Sequence, residues 1–117
     1  MSKSLYERVG EERLQLVITE FYLRAFNDPI IGHFFFHFDR EHLTRQQIDF
    51  ARAMLGGPNR YQGKALRVAH EVFAIRKPHF GRRQVIMREV LDDLAIEPDI
   101  ADNWLEREEK LRPLIVK

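Results

Sequence analysis

An all-helical fold is predicted for this 117-residue sequence by three observations. Apolar residues recur at three- and four-residue steps along most of its length, the spacing of one helix face. Cap and breaker residues fall where each of those patterns ends. No second strand-like run offers itself as a partner to the few alternating positions, and an isolated strand has nothing to bond to. The length suits one domain, 1–117, with a single hydrophobic core.

Taken in order, Ser4-Leu5-Tyr6-Glu7 is a capping box: Ser4 can accept from the third helical N–H while Glu7 reaches back to the Ser4 amide. The short helix it starts ends at Gly10. From Glu11, Leu14, Val17, Ile18, Phe21, Tyr22 and Ala25 form one stripe, which Asn27-Asp28-Pro29 closes. Tyr22 lies in that stripe, and a buried phenol needs a hydrogen-bond partner, either a backbone carbonyl or a functional group. Asp28 can cap and Pro29 can open a further short turn.

The run Phe34-Phe35-Phe36-His37-Phe38 then reads as a tight corner whose rings plug a core or lie against a flat apolar ligand. Asp39 caps the next helix, which runs to Leu55 with Leu43, Gln47, Phe50, Ala51 and Met54 on one face. Gln47 is anomalous there, since an unpaired amide in an apolar stripe costs a few kcal/mol. It is expected to bond an interior group, either another helix or a ligand. His42 and Gln46 stand at the edge of that face.

Gly56-Gly57-Pro58-Asn59-Arg60-Tyr61-Gln62-Gly63 breaks the pattern, and the helix after it carries Leu66, Ala69, His70 and Phe73 at i, i+3, i+4 and i+7. The His70 imidazole is therefore expected to point inward, as a packed core residue or as a ligand. Lys77-Pro78 opens another helix with Phe80, Met87, Val90, Leu91 and Leu94 toward the core. Arg83 and Gln84 interrupt its stripe, and the basic run from Arg76 to Arg83 reads as a solvated helix terminus, with Arg83 placed at the surface unless it meets a polar group inside. Glu97-Pro98-Asp99 turns into a last helix with Ile100, Ala101, Trp104, Leu105 and Leu111, whose end Pro113 is expected to fray.

Composition removes several kinds of chemistry. There is no cysteine, so disulfides, thiolate nucleophiles and Cys-based metal sites are excluded. A net charge of +1 gives no field to draw nucleic acid or anionic lipid. No apolar run is long enough to span a bilayer, and Met1-Ser2-Lys3-Ser4 has no secretory character, so the chain is expected to be cytoplasmic and free of the membrane. The five histidines show no H-x-x-x-H or H-E-x-x-H pairing that would build a zinc site on one helix. Haem is compatible with what remains, because its iron needs one protein ligand and its flat face needs apolar walls.

The segments Tyr6-Glu7-Arg8-Val9-Gly10, Phe21-Tyr22, Phe34-Phe35, Leu55 through Gly63, Ala69-His70 and His79-Phe80 together resemble the truncated haemoglobins, the first subgroup most. The resemblance covers about residues 4 to 96 and implies a two-over-two helical sandwich around haem b, iron protoporphyrin IX. It implies His70 as the proximal iron ligand and Phe35 as a ring wedged against the porphyrin. It also implies that Tyr22 is the distal hydrogen-bond donor, with Leu43, Gln46 and Gln47 as distal pocket residues. Phe34, Phe50, Met54, Tyr61, Leu66, Phe73 and Phe80 are implied to line the pocket, Phe50 at the ligand tunnel. Arg60, Lys64 and Arg67 are the candidates for the haem propionates.

Departures from the family pattern are informative. Gln46 stands where some relatives carry a second histidine ligand, so ligation through that position is ruled out. Arg83 and Gln84 stand where the family is apolar, and Arg83 could instead face the ligand or a propionate. His42 and His79 are the other histidines within reach of a haem role. The resemblance implies reversible binding of dioxygen, with nitric oxide and carbon monoxide as further ligands. One alternative is a nitric oxide dioxygenase, or a peroxidase-like enzyme, drawing electrons from an external reductase. The other is a haem-free helical interaction module on the same scaffold. The sequence leaves the oligomeric state open.

Overall fold

In the computed structural model, residues 3–58, 69–70 and 73–117 are described, and they are helical with short connections. The expected capping box is present: Ser4 Oγ accepts from the Glu7 amide at 3.1 Å, and the Ser4 amide donates to Glu7 Oε1 at 3.0 Å. It opens α1, Leu5–Val9. Gly10 turns the chain at φ +86°, a backbone state open to glycine, and α2, Glu11–Phe26, follows directly. The Tyr6 amide donates to the Leu55 carbonyl at 2.8 Å, which pins α1 to the end of α3, Arg40–Met54. Gly57 is required at the same junction, since a Cβ there would stand 2.8 Å from the Arg52 carbonyl and 2.9 Å from the Tyr6 ring.

Among the described residues, three further helices follow: α4, Lys77–Asp93, α5, Pro98–Glu109, and a short α6, Arg112–Ile115. α2 packs on both α3 and α4, α4 packs on α5, and α1 closes against α2 and α5. This is one helix pair, α2 and α3, over another, α4 and α5. Trp104, Phe21, Leu14, Leu55, Met87 and Leu91 fill the centre and are fully buried. Among the described residues, no helix is long and apolar enough to cross a membrane.

Asp28 organises the corner after α2. Its buried carboxylate accepts from the Ile30 and Ile31 amides at 3.0 and 3.1 Å through Oδ2. Through Oδ1 it accepts from Arg82 Nε and Nη2 at 3.0 and 2.8 Å. Burial works to raise this carboxyl, but Arg82 and the two amides outweigh it and hold the group below its ordinary value. One side chain thus joins the end of α2, the α4 surface and the 3-10 turn Gly32–Phe35.

Three expectations are corrected. The corner at 34–38 does not hide all its rings, because Phe36 is 76% exposed. Arg82 and Arg83 are not solvated ends of a basic run: Arg82 is tied to Asp28, and Arg83 is half-buried against Glu108. Pro113 does not fray a helix; it falls in the first turn of α6, where a missing N–H removes no helical bond. Of the two partners expected for Gln47, no helix partner is found among the described residues, and the half-buried side chain stands in a cavity wall where a ligand could meet it.

Candidate functional site

The α2 stripe carries Tyr22 into the space between the helix pairs, where it is 8% exposed. Aromatic edges fix its ring: Phe21 lies edge-on at 4.9 Å between centroids, Phe26 at 6.5 Å and Phe35 at 6.0 Å. Phe26 and Phe35 stack at 4.9 Å, locking the 3-10 turn onto α2. That turn reaches Phe26 closely, since a Cβ on Gly32 would stand 2.8 Å from the Phe26 carbonyl.

A cavity of about 250 Å³ opens beside Tyr22. Phe34, Phe35, Phe38, Phe73 and Phe80 supply ring surface to it, while Leu43, Gln46 and Gln47 come from α3. His70 and His79 reach it from the opposite side in sequence, and Arg83 from α4. Phe73 meets Phe34 edge-on at 6.3 Å and Phe38 at 6.1 Å, so the rings form a continuous surface. A smaller cavity of about 70 Å³ shares Tyr22, Gln47, His70, Phe80 and Arg83 with the larger one and adds Phe50, Met54 and Glu108.

Two histidines line the larger cavity. His79 Nδ1 accepts from the Arg76 amide at 2.9 Å and caps the start of α4, so its ring is committed to that helix end through one nitrogen. Its ring also meets Phe34 edge-on at 5.0 Å. His70 lines both cavities. His42 is exposed and belongs to neither wall.

Electrostatics at the Tyr22 end come from a buried chain of polar groups. Trp104 Nε1 donates to Glu108 Oε2 at 3.1 Å, and Arg83 Nη1 donates to Glu108 Oε1 at 2.6 Å. The guanidinium also lies 4.6 Å from the Phe21 ring centroid and bonds Gln84 Oε1 at 2.7 Å. Burial opposes the Arg83 charge, and Glu108 more than offsets it, so the group stays cationic. Burial pushes the Tyr22 phenol up to about 12; Arg83 pulls against that rise and Glu108 adds to it. Tyr22 is therefore a protonated donor at neutral pH.

Comparison with known proteins decides the family. The profile of the bacterial-like globin family matches residues 4–116. The chain belongs to that family. Among relatives of this globin, a group 1 truncated hemoglobin of Tetrahymena pyriformis is 37% identical over 67% of the chain and 65% of its own length. A group 1 truncated hemoglobin of Mycolicibacterium paratuberculosis is 35% identical over 67% of the chain and 58% of that protein. These matches thus span less than two thirds of either relative. The crystal structure of the T. pyriformis protein in its Fe(III) form superposes with a TM-score of 0.89 at 29% identity, covering 97% of this chain and 98% of the other. The all-helical arrangement is that of the truncated two-over-two globins.

Globins bind haem, and the donor set of this globin fits one. Among the described residues, no three His, Asp or Glu side chains gather to hold a bare ion. The cavity instead combines a broad aromatic surface with single imidazoles, which suits a metal that arrives in a flat apolar cofactor carrying its own ligands. Of the residues singled out from sequence, Tyr22, Phe34, Phe35, Leu43, Gln46, Gln47, His70, Phe73, His79, Phe80 and Arg83 line the larger cavity. Phe50 and Met54 line the smaller. Tyr61, Leu66, Arg60, Lys64 and Arg67 lie outside the described residues.

Sequence reasoning did not single out Glu108. The signal was present: Glu108 follows Ile100, Ala101 and Trp104 at helical spacing, on the stripe that faces inward. It also missed Ile115, which lines both cavities from α6.

Proposed function

We propose that this globin binds haem b through His70 and reversibly takes dioxygen, nitric oxide or carbon monoxide on the side of Tyr22 and Gln47. The observation that carries this reading is that His70, Tyr22 and Gln47 share both cavities, beneath a wall of phenylalanine rings. Haem iron, once bound, supplies the coordination position for a diatomic ligand and shifts electron density toward it. Tyr22 is suited to answer that charge, because its phenol is protonated and its ring is fixed by Phe21 and Phe35. Gln47 offers a second donor from α3, with its amide not committed elsewhere among the described residues. Phe34, Phe35 and Phe73 exclude water and provide apolar area for a flat ligand.

Absorption spectra of the reconstituted protein in ferric, ferrous and carbonyl forms test the reading. A Soret band that shifts in the carbonyl form is expected. His70→Ala is expected to lose haem on gel filtration, and added imidazole should restore retention. A normal spectrum in His70→Ala would transfer the ligand role to another residue, His79 first. No Soret band in the parent protein would leave a haem-free helical scaffold.

A further inference from the structure

We infer that Arg83 makes the distal cavity selective for small anionic ligands, with Glu108 acting behind it as a positioning residue. The inference rests on the haem reading and adds a ligand class to it. It is carried by the order in which charges are stacked between the core and the cavity. Trp104 is fully buried and its indole N–H engages one oxygen of Glu108. The other Glu108 oxygen takes Arg83 Nη1. Arg83 lines both cavities, whereas Glu108 lines the smaller one alone. At the larger cavity the positive end of the pair is thus presented to the space where a ligand would be held, with its counter-charge set back toward the smaller one.

Two further features make this a built arrangement and not a chance approach of a long side chain. Contact with the Phe21 ring at 4.6 Å restrains the guanidinium plane. Nη1 carries the bonds to Glu108 and Gln84, and the guanidinium also interacts with the Tyr22 phenol, while a guanidinium has five N–H donors in a fixed fork. Donors of that fork remain to meet a second atom of a ligand beside Tyr22 and Gln47. Carbon monoxide, which gathers little charge when bound, gains little from a nearby full charge, whereas azide, nitrite or a similar monoanion gains a charge-assisted hydrogen bond in a low-dielectric site.

The test is a pair of titrations read at the Soret band, with sodium azide on the ferric protein and carbon monoxide on the ferrous protein. Arg83→Met should weaken azide by about tenfold or more while carbon monoxide affinity changes by less than about threefold. Glu108→Gln removes the counter-charge but keeps the shape, and should tighten azide with little effect on carbon monoxide. It also decides the matter if Arg83→Met does not fold. Azide affinity unchanged in either folded variant, or azide and carbon monoxide weakened equally in Arg83→Met, overturns the inference. If Arg83 instead grips the haem carboxylates, Arg83→Met will lose haem faster to excess apomyoglobin with the azide-to-carbon-monoxide ratio unchanged, which also overturns it. A parent protein with no Soret band refutes the haem reading itself, an outcome separate from a normal band with no anion effect.

Discussion

Replacing Asp28 by alanine is expected to be among the most damaging single changes outside the apolar core. The substitution removes two amide hydrogen bonds at 3.0 and 3.1 Å and two guanidinium bonds at 3.0 and 2.8 Å from a carboxylate whose side chain is only 4% exposed. Hydrogen bonds to a charged group are each worth about 1.5–3 kcal/mol, and breaking one side of a buried ion pair costs about 3–5 kcal/mol. Arg82 is 33% exposed and can turn toward water, which lowers the cost of leaving it alone. A loss of about 3 kcal/mol follows, a lowering of Tm by about 10–15 °C for a domain of this size. Asp28→Asn keeps an oxygen for the amides but gives up the charge, and should lose about half as much.

Urea unfolding of both variants, followed by circular dichroism, measures this. The pH dependence carries the same signature. The folded-state pKa of Asp28 is depressed below its ordinary 3.8, so its contribution is present above about pH 3.8 and is lost as pH falls through the folded value. Asp28→Ala should therefore differ from the parent protein at neutral pH and converge with it in acid. A loss below about 1 kcal/mol at neutral pH would show that the corner is held by the stacked Phe26 and Phe35 rings and not by the carboxylate.

Two further outcomes are expected. Tyr22→Phe removes a buried phenol that lines the cavity, and oxygen release in stopped flow should accelerate by about tenfold, the equivalent of one net hydrogen bond; an unchanged rate takes Tyr22 out of ligand retention. Glu11 is held down to about 2 by Arg52 first, then by Gln15 and Tyr6, so it stabilises the fold above about pH 4.5 and that contribution fades as pH falls toward 2. Glu11→Gln should flatten the acid limb of a urea-midpoint profile across that window, and parallel profiles would contradict the assignment.

The elements themselves were legible because their signals are local. The capping box at Ser4 and Glu7, the α2 stripe ending at Asn27 and the Asp39 cap each involve residues within a few positions of one another. The inward face of α2 was enough to place Tyr22, and the phenylalanine run was enough to mark an aromatic corner. Pairings across the chain were not legible. Asp28 and Arg82 are 54 residues apart, and Arg83 and Glu108 are 25 apart. Each arginine alone looks like a solvated charge, and only packing α4 against α2 and α5 shows which carboxylate it meets. The sequence left Gln47 either a helix or a ligand as its partner, and only the packed helices show that it stands in a cavity wall.

The exposed ring of Phe36 has a practical side. A 3-10 turn advances roughly three residues per revolution, so three successive phenylalanines there cannot all face one way. Phe34 and Phe35 turn toward the cavity, and Phe36 is left in water. The chain contains no cysteine. A cysteine introduced at position 36 would therefore be a unique attachment point for a fluorophore, adjacent to the cavity in sequence but outside its walls. From there, quenching by a bound porphyrin could be followed in real time without altering any side chain that lines the cavity.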